Sequence, residues 1–220
     1  LTVNVEVYYT GASPVSTNNL TVMLLENDVV GPQTGGTNFN PTQVNPDGTY
    51  NHQHMLRKVL NTSAMGETIS PTTSGTLIQK QYTFTVPAQF VNNAPQLGNL
   101  EIAAFVAESN TEIISGAYGP ITLTGFAYTK DAQVQSVSSE ATVCAGILNP
   151  KTKIYNNGSS TITSATINYN VNVGTNSTYN YTGSIAPAST VEISLPAITF
   201  TPTTTNTLNV TIANVNGSAD

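Results

Sequence analysis

Tryptophan is absent from this chain, cysteine occurs once, and lysine and arginine together number only 6. Each scarcity excludes something. A lone Cys144 has no intrachain partner, so no internal disulfide framework holds the fold. Flanked by Val143 and Ala145, it reads as a small buried apolar side chain, because a reactive thiol needs an electropositive, accessible setting. The 6 basic residues are spread thinly against 12 acidic ones, for a net charge of -6, so nothing is clustered to displace counterions from phosphates and nucleic acid is excluded as a partner. No apolar run reaches the roughly eighteen residues that a membrane-crossing helix needs. Alternating segments are present, but they are short, rich in Asn and Thr, and lack the aromatic girdles of a membrane barrel. Leu1 opens on strand-like sequence without a charged, then apolar, leader, so any export signal is expected to have been removed or to lie outside these residues.

What is there is polar and uncharged. Charged residues make up 8% of the chain, so solubility rests on Thr, Asn, Ser and Gln, which is the surface of a secreted or cell-surface β protein. Leu1, Val3, Val5, Val7 and Tyr9 alternate with Thr2, Asn4, Glu6 and Thr10, the period of a half-buried strand. A turn region over 11–19 leads to Leu20, Val22 and Leu24 on the same period, and the simplest reading pairs the two strands as a hairpin. Ile78 to Val86 alternates again. Leu100 to Glu108 is more continuously apolar, as a central strand would be, and Thr111 to Ala117 and Ile121 to Leu123 read as short strands. Beyond Tyr128 the loops shorten. Strand patterns recur at Asp131–Val137, Ala141–Ile147, Lys151–Tyr155, Ala165–Val173, Tyr179–Tyr181, Val191–Leu195 and Leu208–Ile212, with no helical period among them. The expectation is an all-β protein of two tandem antiparallel β-sandwich, immunoglobulin-like domains, over 1–127 and 128–220.

The densest chemistry lies in Tyr50-Asn-His-Gln-His-Met-Leu-Arg-Lys-Val-Leu60, which holds both histidines and the adjacent pair Arg57 and Lys58. It follows a segment, 33–49, whose Gly35-Gly36, Pro41 and Asn45-Pro46-Asp47-Gly48 forbid regular structure and predict a long surface loop. Tyr50, His52 and His54 share a side if that half is extended, whereas Leu56, Val59 and Leu60 fit one amphipathic helical turn. Two imidazoles on one side suit a zinc-like ion, with Asp47 or Glu67 as the third ligand by sequence, but a lone His-x-His lacks an established zinc spacing. The plainer reading is that both rings and Arg57 hydrogen-bond the 33–49 loop and clamp it to the sandwich. Glu26, Asp28 and Asp47 carry oxygen ligands for calcium without the spacing of a calcium loop, and read as solvated carboxylates. No Gly-x-Ser-x-Gly elbow precedes a helix, so serine nucleophiles lack their usual frame. Without Trp the usual sugar platform is missing, and Tyr8, Tyr9, Tyr50, Tyr179 and Tyr181 remain as flat faces for a glycan or partner. Asn-x-Ser/Thr triplets at Asn19, Asn61 and Asn157 follow from composition.

Three stretches of the first half, Met23-Leu-Leu-Glu-Asn-Asp-Val-Val-Gly-Pro-Gln33, Tyr50-Asn-His-Gln-His-Met-Leu-Arg57 and Glu101-Ile-Ala-Ala-Phe-Val106, resemble the twenty-eight-kilodalton outer membrane protein family of Bacteroidetes. In the second half, Pro150 to Ser159, Tyr181-Thr-Gly183 and Val215 to Asp220 are similar to an immunoglobulin-like module of exported proteins in the same bacteria. The resemblance implies a cell-envelope, outer-membrane-surface or extracellular protein, used for adhesion or surface binding rather than catalysis. Some relatives add a thioredoxin-like domain upstream, whose Cys-x-x-Cys has no counterpart here, and the related modules continue past the position of Asp220. The expected function is therefore non-enzymatic binding of a host or environmental protein or glycan, with Tyr50, His52, His54 and Arg57 as the binding candidates and no cofactor. Its rivals are a metal-dependent hydrolase centred on His52 and His54, and a structural stalk for a missing upstream domain.

Overall fold

A computed structural model describes residues 1–91, 93–109, 112–139 and 146–220. Cys144 and most of the strand expected at Ala141–Ile147 lie outside the described residues. The chain forms two compact units, 1–95 with 99–121 and 96–98 with 122–220. Both are antiparallel and nearly free of helix.

The first unit contains β1 (Thr2–Tyr8), β2 (Asn18–Glu26), β3 (Val29–Gly31), β4 (Tyr50–His52), β5 (Met55–Val59), β6 (Glu67–Ile69), β7 (Leu77–Thr83), β8 (Leu100–Ala107) and β9 (Ile113–Pro120). Strands β5, β2, β8 and β9 lie side by side with β6 also pairing β2, β1 pairs β7, and β3 pairs β4. Val3 of β1 packs with Leu20 and Val22 of β2, Ile69 of β6 and Val106 of β8, and the alternation read from Leu1 to Tyr9 is what turns those side chains inward. The hairpin expected between β1 and β2 does not form. Thr2 pairs with Thr83 and Tyr8 with Leu77, while β2 is taken by β5, β6 and β8 in the other sheet. Leu100–Ala107 is indeed interior to its sheet, between β2 and β9. Ile121–Leu123 is not a strand, because β9 runs unbroken through Gly119 to Pro120.

A buried polar group ties the two layers of this unit. Asn61 accepts from the Val22 N–H at 2.6 Å and donates to the Leu20 carbonyl at 3.0 Å and the Tyr82 hydroxyl at 3.2 Å. Tyr82 in turn donates to Glu67 at 3.0 Å, and Lys80 donates to the same carboxylate. Burial, followed by the hydrogen bond and negative charge of Glu67, pushes the Tyr82 phenol up to about 12. The Lys80 hydrogen bond holds Glu67 below its ordinary value against the opposing effect of burial. The two signs differ. The raised phenol contributes stability that is complete below the unfolded-state value near 10 and lost as pH rises through about 12. The lowered carboxyl contributes stability that is complete above its unfolded-state value and lost as pH falls through the folded one. Absorbance of phenolate in an alkaline titration should therefore include one component near pH 12 that disappears in Tyr82→Phe.

The second unit contains β10 (Ala132–Ser138), β11 (Ile147–Leu148), β12 (Lys151–Asn156), β13 (Ile162–Val171), β14 (Ser177–Ile185), β15 (Thr190–Ser194), β16 (Ile198–Thr199), β17 (Leu208–Val215) and β18 (Ser218–Ala219). A three-stranded sheet in the order 10-12-15 faces a four-stranded one in the order 14-13-17-18, with β11 and β16 as a short extra pair. Consecutive strands β12 and β13 lie in opposite sheets, which is the crossing of an immunoglobulin-like sandwich. Ile154 from one sheet meets Ile162, Ile167 and Val215 from the other, each fully buried. Ala165, Ile167, Tyr169 and Val171, the most regular alternation in the sequence, form the middle of that core.

Candidate functional site

The segment 26–57 is one long excursion from the edge of the large sheet. β2 and β5 run antiparallel until Glu26 and Met55, where the ladder breaks, and pairing resumes beyond the break as β3 with β4. Two residues in the left-handed region make that break, Asp28 with φ 59° and His54 with φ 51°. Side chains stitch it: the His54 N–H donates to Asn27 Oδ1 at 2.8 Å, and Asp28 Oδ1 accepts from Asn51 Nδ2 at 2.9 Å and Gln53 Nε2 at 2.7 Å. Asp28 is thus a local clamp, a role no spacing in the sequence signals.

The tip of the excursion is more ordered than the expected loop. Gly36–Phe39 forms one helical turn, Pro41–Gln43 a 3-10 turn, and Val44 bridges to Tyr50. Asp47 closes the following turn, accepting from the Thr49 N–H at 2.9 Å and the Thr49 hydroxyl at 2.6 Å. A Cβ on Gly36 would lie 2.9 Å from the Tyr50 ring, so any larger residue there displaces that ring. Phe39 stands 88% exposed on this tip.

The four candidate residues divide between tip and base. Tyr50 and His52, two apart on β4, share a side as expected, with ring centroids 4.9 Å apart, and Asn40 donates to the Tyr50 hydroxyl at 3.2 Å. His54 does not join them. Its left-handed backbone turns the ring to the large sheet, edge-on to Tyr118 at 6.2 Å and with Nε2 3.6 Å from Glu101 Oε2. Arg57 does not reach the tip loop either: its Nε donates to Glu26 Oε2 at 2.6 Å, with both side chains buried, and its guanidinium lies 5.4 Å from the Phe90 ring centre. The clamp expected of His52, His54 and Arg57 on the 33–49 loop does not form: Tyr50 ties the tip, Asp28 the neck, and Arg57 anchors the base instead. No helical turn spans 56–60, which is β5 with a register shift opposite Leu24 and Leu25. Arg57 is the extra residue of that bulge, the device that points it at Glu26.

The carboxylates proposed as ligands are engaged elsewhere. Glu26 is buried against Arg57, Asp28 and Asp47 hold their own turns, and Glu67 lies on β6 with Lys80 and Tyr82. Among the described residues no group of three or more His, Cys, Asp and Glu side chains is placed to hold a metal ion. Two buried polar atoms of the base, Arg57 Nη2 and Glu101 Oε2, have no hydrogen-bond partner among the described residues. Glu101 and Tyr118 were not visible as site residues, because nothing in a β-strand alternation announces a neighbour on an adjacent strand.

The site is thus a hydrogen-bonded, aromatic-tipped arm on a sparsely charged β-sandwich body. The chain belongs to the family of outer membrane protein Omp28, whose model matches residues 1–117, and this assigns it to the outer membrane or cell envelope. No helix among the described residues is long and apolar enough to cross a membrane. No curated protein matches the chain. Among solved structures it is similar to red sea bream transglutaminase, at 14% identity and a TM-score of 0.31, over 99% of this chain and 27% of that one. The chain thus spans about a quarter of the length of that enzyme.

Proposed function

We propose that this chain is a non-enzymatic recognition protein of the envelope surface, binding a host or environmental protein or glycan through the tip of the β3–β4 arm. The supporting observation is Phe39, 88% exposed on a tip whose backbone is fixed by its own hydrogen bonds. An exposed ring on a preordered loop costs little entropy to bury, and Asn40, next in the chain, with the Tyr50 hydroxyl it bonds, supplies donors and acceptors at low charge. Arg57 and Glu26 act as positioning residues that set where the arm leaves the sheet. The second unit, in this reading, is the module common in exported proteins, serving as a spacer or an additional contact surface.

Screening a glycan array and an extracellular protein library with wild type, Phe39→Ala and Tyr50→Ala tests this. Ligands of wild type should bind Phe39→Ala at least about tenfold more weakly, the loss of one aromatic anchor. Unchanged binding by both variants would remove the arm from the reading. The hydrolase alternative meets a specific obstacle, the separation of the two imidazoles between tip and base. Stoichiometric zinc in the purified protein, lost in the His52→Ala, His54→Ala double variant, would reinstate it.

A further inference from the structure

The other end of the first unit carries a groove that the arm does not use. It has a volume of about 490 Å³ and runs between β1 and β9, floored by Leu20, Ala104 and Val106. That volume lies within the roughly 300–1,000 Å³ of ligand clefts. Both walls are sheet edges. Among the described residues β1 pairs only with β7 and β9 only with β8.

The hydrogen-bond phase of each wall follows from its ends. Leu1 and Phe84 exchange both backbone bonds at 3.0 Å, and the Tyr9 N–H donates to Thr76 at 2.9 Å. With an unbroken register between these points, the odd residues of β1 face β7, and the backbone groups of Glu6 and Tyr8 point away from it. On β9 the Ile121 N–H donates to Leu100 at 3.3 Å, and the register is constant back to Ser115 opposite Val106. Gly116 and Tyr118 therefore turn their N–H and C=O to the free side. β9 is exposed at every position but Gly119, and from Ile113 to Tyr118 it carries no charge and no proline, the usual protections of an edge. Ile113 and Tyr118 are 63% and 71% exposed.

We propose that this groove receives an extended segment of a partner protein as an added strand on β9, and that the segment carries a lysine or arginine. The strand is required by the edge, because a row of unpaired, alternating backbone donors and acceptors is complemented along its length only by another extended backbone. The basic side chain complements the lining, whose charged residues are Glu6 and Glu108, each accepting one neutral hydrogen bond, from Gln79 at 2.7 Å and Ser13 at 3.0 Å, with no Lys or Arg beside them. A second copy of this chain is the poorer occupant, since two-fold pairing through β9 would bring both acidic linings together. The site is independent of the arm.

The probes are three fluorescein-labelled hexapeptides of alternating Val and Thr: one with a central Lys, one with Glu in its place, and the Lys peptide N-methylated at alternate residues. Binding is read by fluorescence polarisation on the intact chain. The Lys peptide should saturate, the Glu peptide should bind at least about tenfold more weakly, and N-methylation on the pairing edge should abolish binding. Glu6→Gln with Glu108→Gln should erase most of the Lys/Glu discrimination, and Phe39→Ala should leave all three unchanged. Amide exchange at Gly116 and Tyr118 should slow with the Lys peptide bound, which a collapsed variant could not mimic. Equal binding of Lys and Glu peptides, insensitivity to N-methylation, absence of saturation up to about 1 mM, or a dimer in sedimentation that buries β9, would each overturn the proposal.

Discussion

Arg57→Ala should destabilise the first unit by about 3–5 kcal/mol, the range for removing one partner of a buried ion pair. The magnitude comes from what is left behind. Glu26 is 1% exposed, and Arg57 reaches it from a β-bulge at 2.6 Å. Truncation takes the cationic partner from a carboxylate in a desolvated setting and also strips the cation from the face of Phe90. Arg57→Lys keeps the charge but loses the planar fork, so it should recover only part of the loss. Glu26→Leu with Arg57→Met removes both charges and should recover most of it or exceed wild type, because a buried pair is worth little against well-packed apolar side chains. Hydrogen exchange with mass spectrometry in increasing urea assigns the change to peptides of β2 and β5. A shift under about 1 kcal/mol in Arg57→Ala would show that solvent or another group compensates Glu26.

The same bulge explains why the site was only half legible in the sequence. Met23 and Leu25 lie on one face of β2, two residues apart, and their partners on β5 are Val59 and Leu56, three apart. The extra residue converts a period of two into a spacing of three, so Leu56, Val59 and Leu60 mimic a helical turn. Tyr50 and His52 lie before the break and keep the strand period, which is why their side-by-side placement was readable. His54 was not, since its left-handed backbone is fixed by Asn27, twenty-seven residues earlier, and local pattern carries no trace of that contact. Glu26 likewise looked like a solvated strand end until its partner was placed.

At the level of the fold, period-two patterning identified strands and the two-unit plan in outline but not who pairs with whom. The chain between β1 and β2 is turn-like, yet β1 joins β7, seventy-odd residues on, because its apolar face is buried by the opposite sheet. Alternation specifies a face and leaves the neighbour open. Asn61 makes the same point for polar residues. It looked like a compositional Asn-x-Ser triplet, and instead it is 7% exposed and satisfies three groups in the interior.

The second unit has its own residue of this kind, and Asn156→Ala should destabilise that unit by about 3 kcal/mol, from several buried groups losing partners at about 1 kcal/mol or more each. Asn156 has no exposed surface at the end of β12. Its amide donates to the carbonyls of Ser160 and Ile185, both at 2.8 Å, while its Oδ1 accepts from the Gly158 N–H at 3.0 Å. One side chain thereby fixes the turn after β12 to the end of β14 in the facing sheet. Close approach reinforces the turn, since a Cβ on Gly158 would lie 2.7 Å from the Thr129 carbonyl. Asn156→Asp separates hydrogen bonding from shape: it keeps the volume and the acceptor but aims a carboxylate at two carbonyl oxygens, so it should be at least as damaging as alanine at neutral pH. Urea unfolding of both variants, followed in peptides of β12 and β14, measures the pair. If the aspartate proved nearly neutral, the side chain would be filling space rather than bonding, and the lock between the two sheets would have to rest on the apolar core around Ile154, Ile162, Ile167 and Val215.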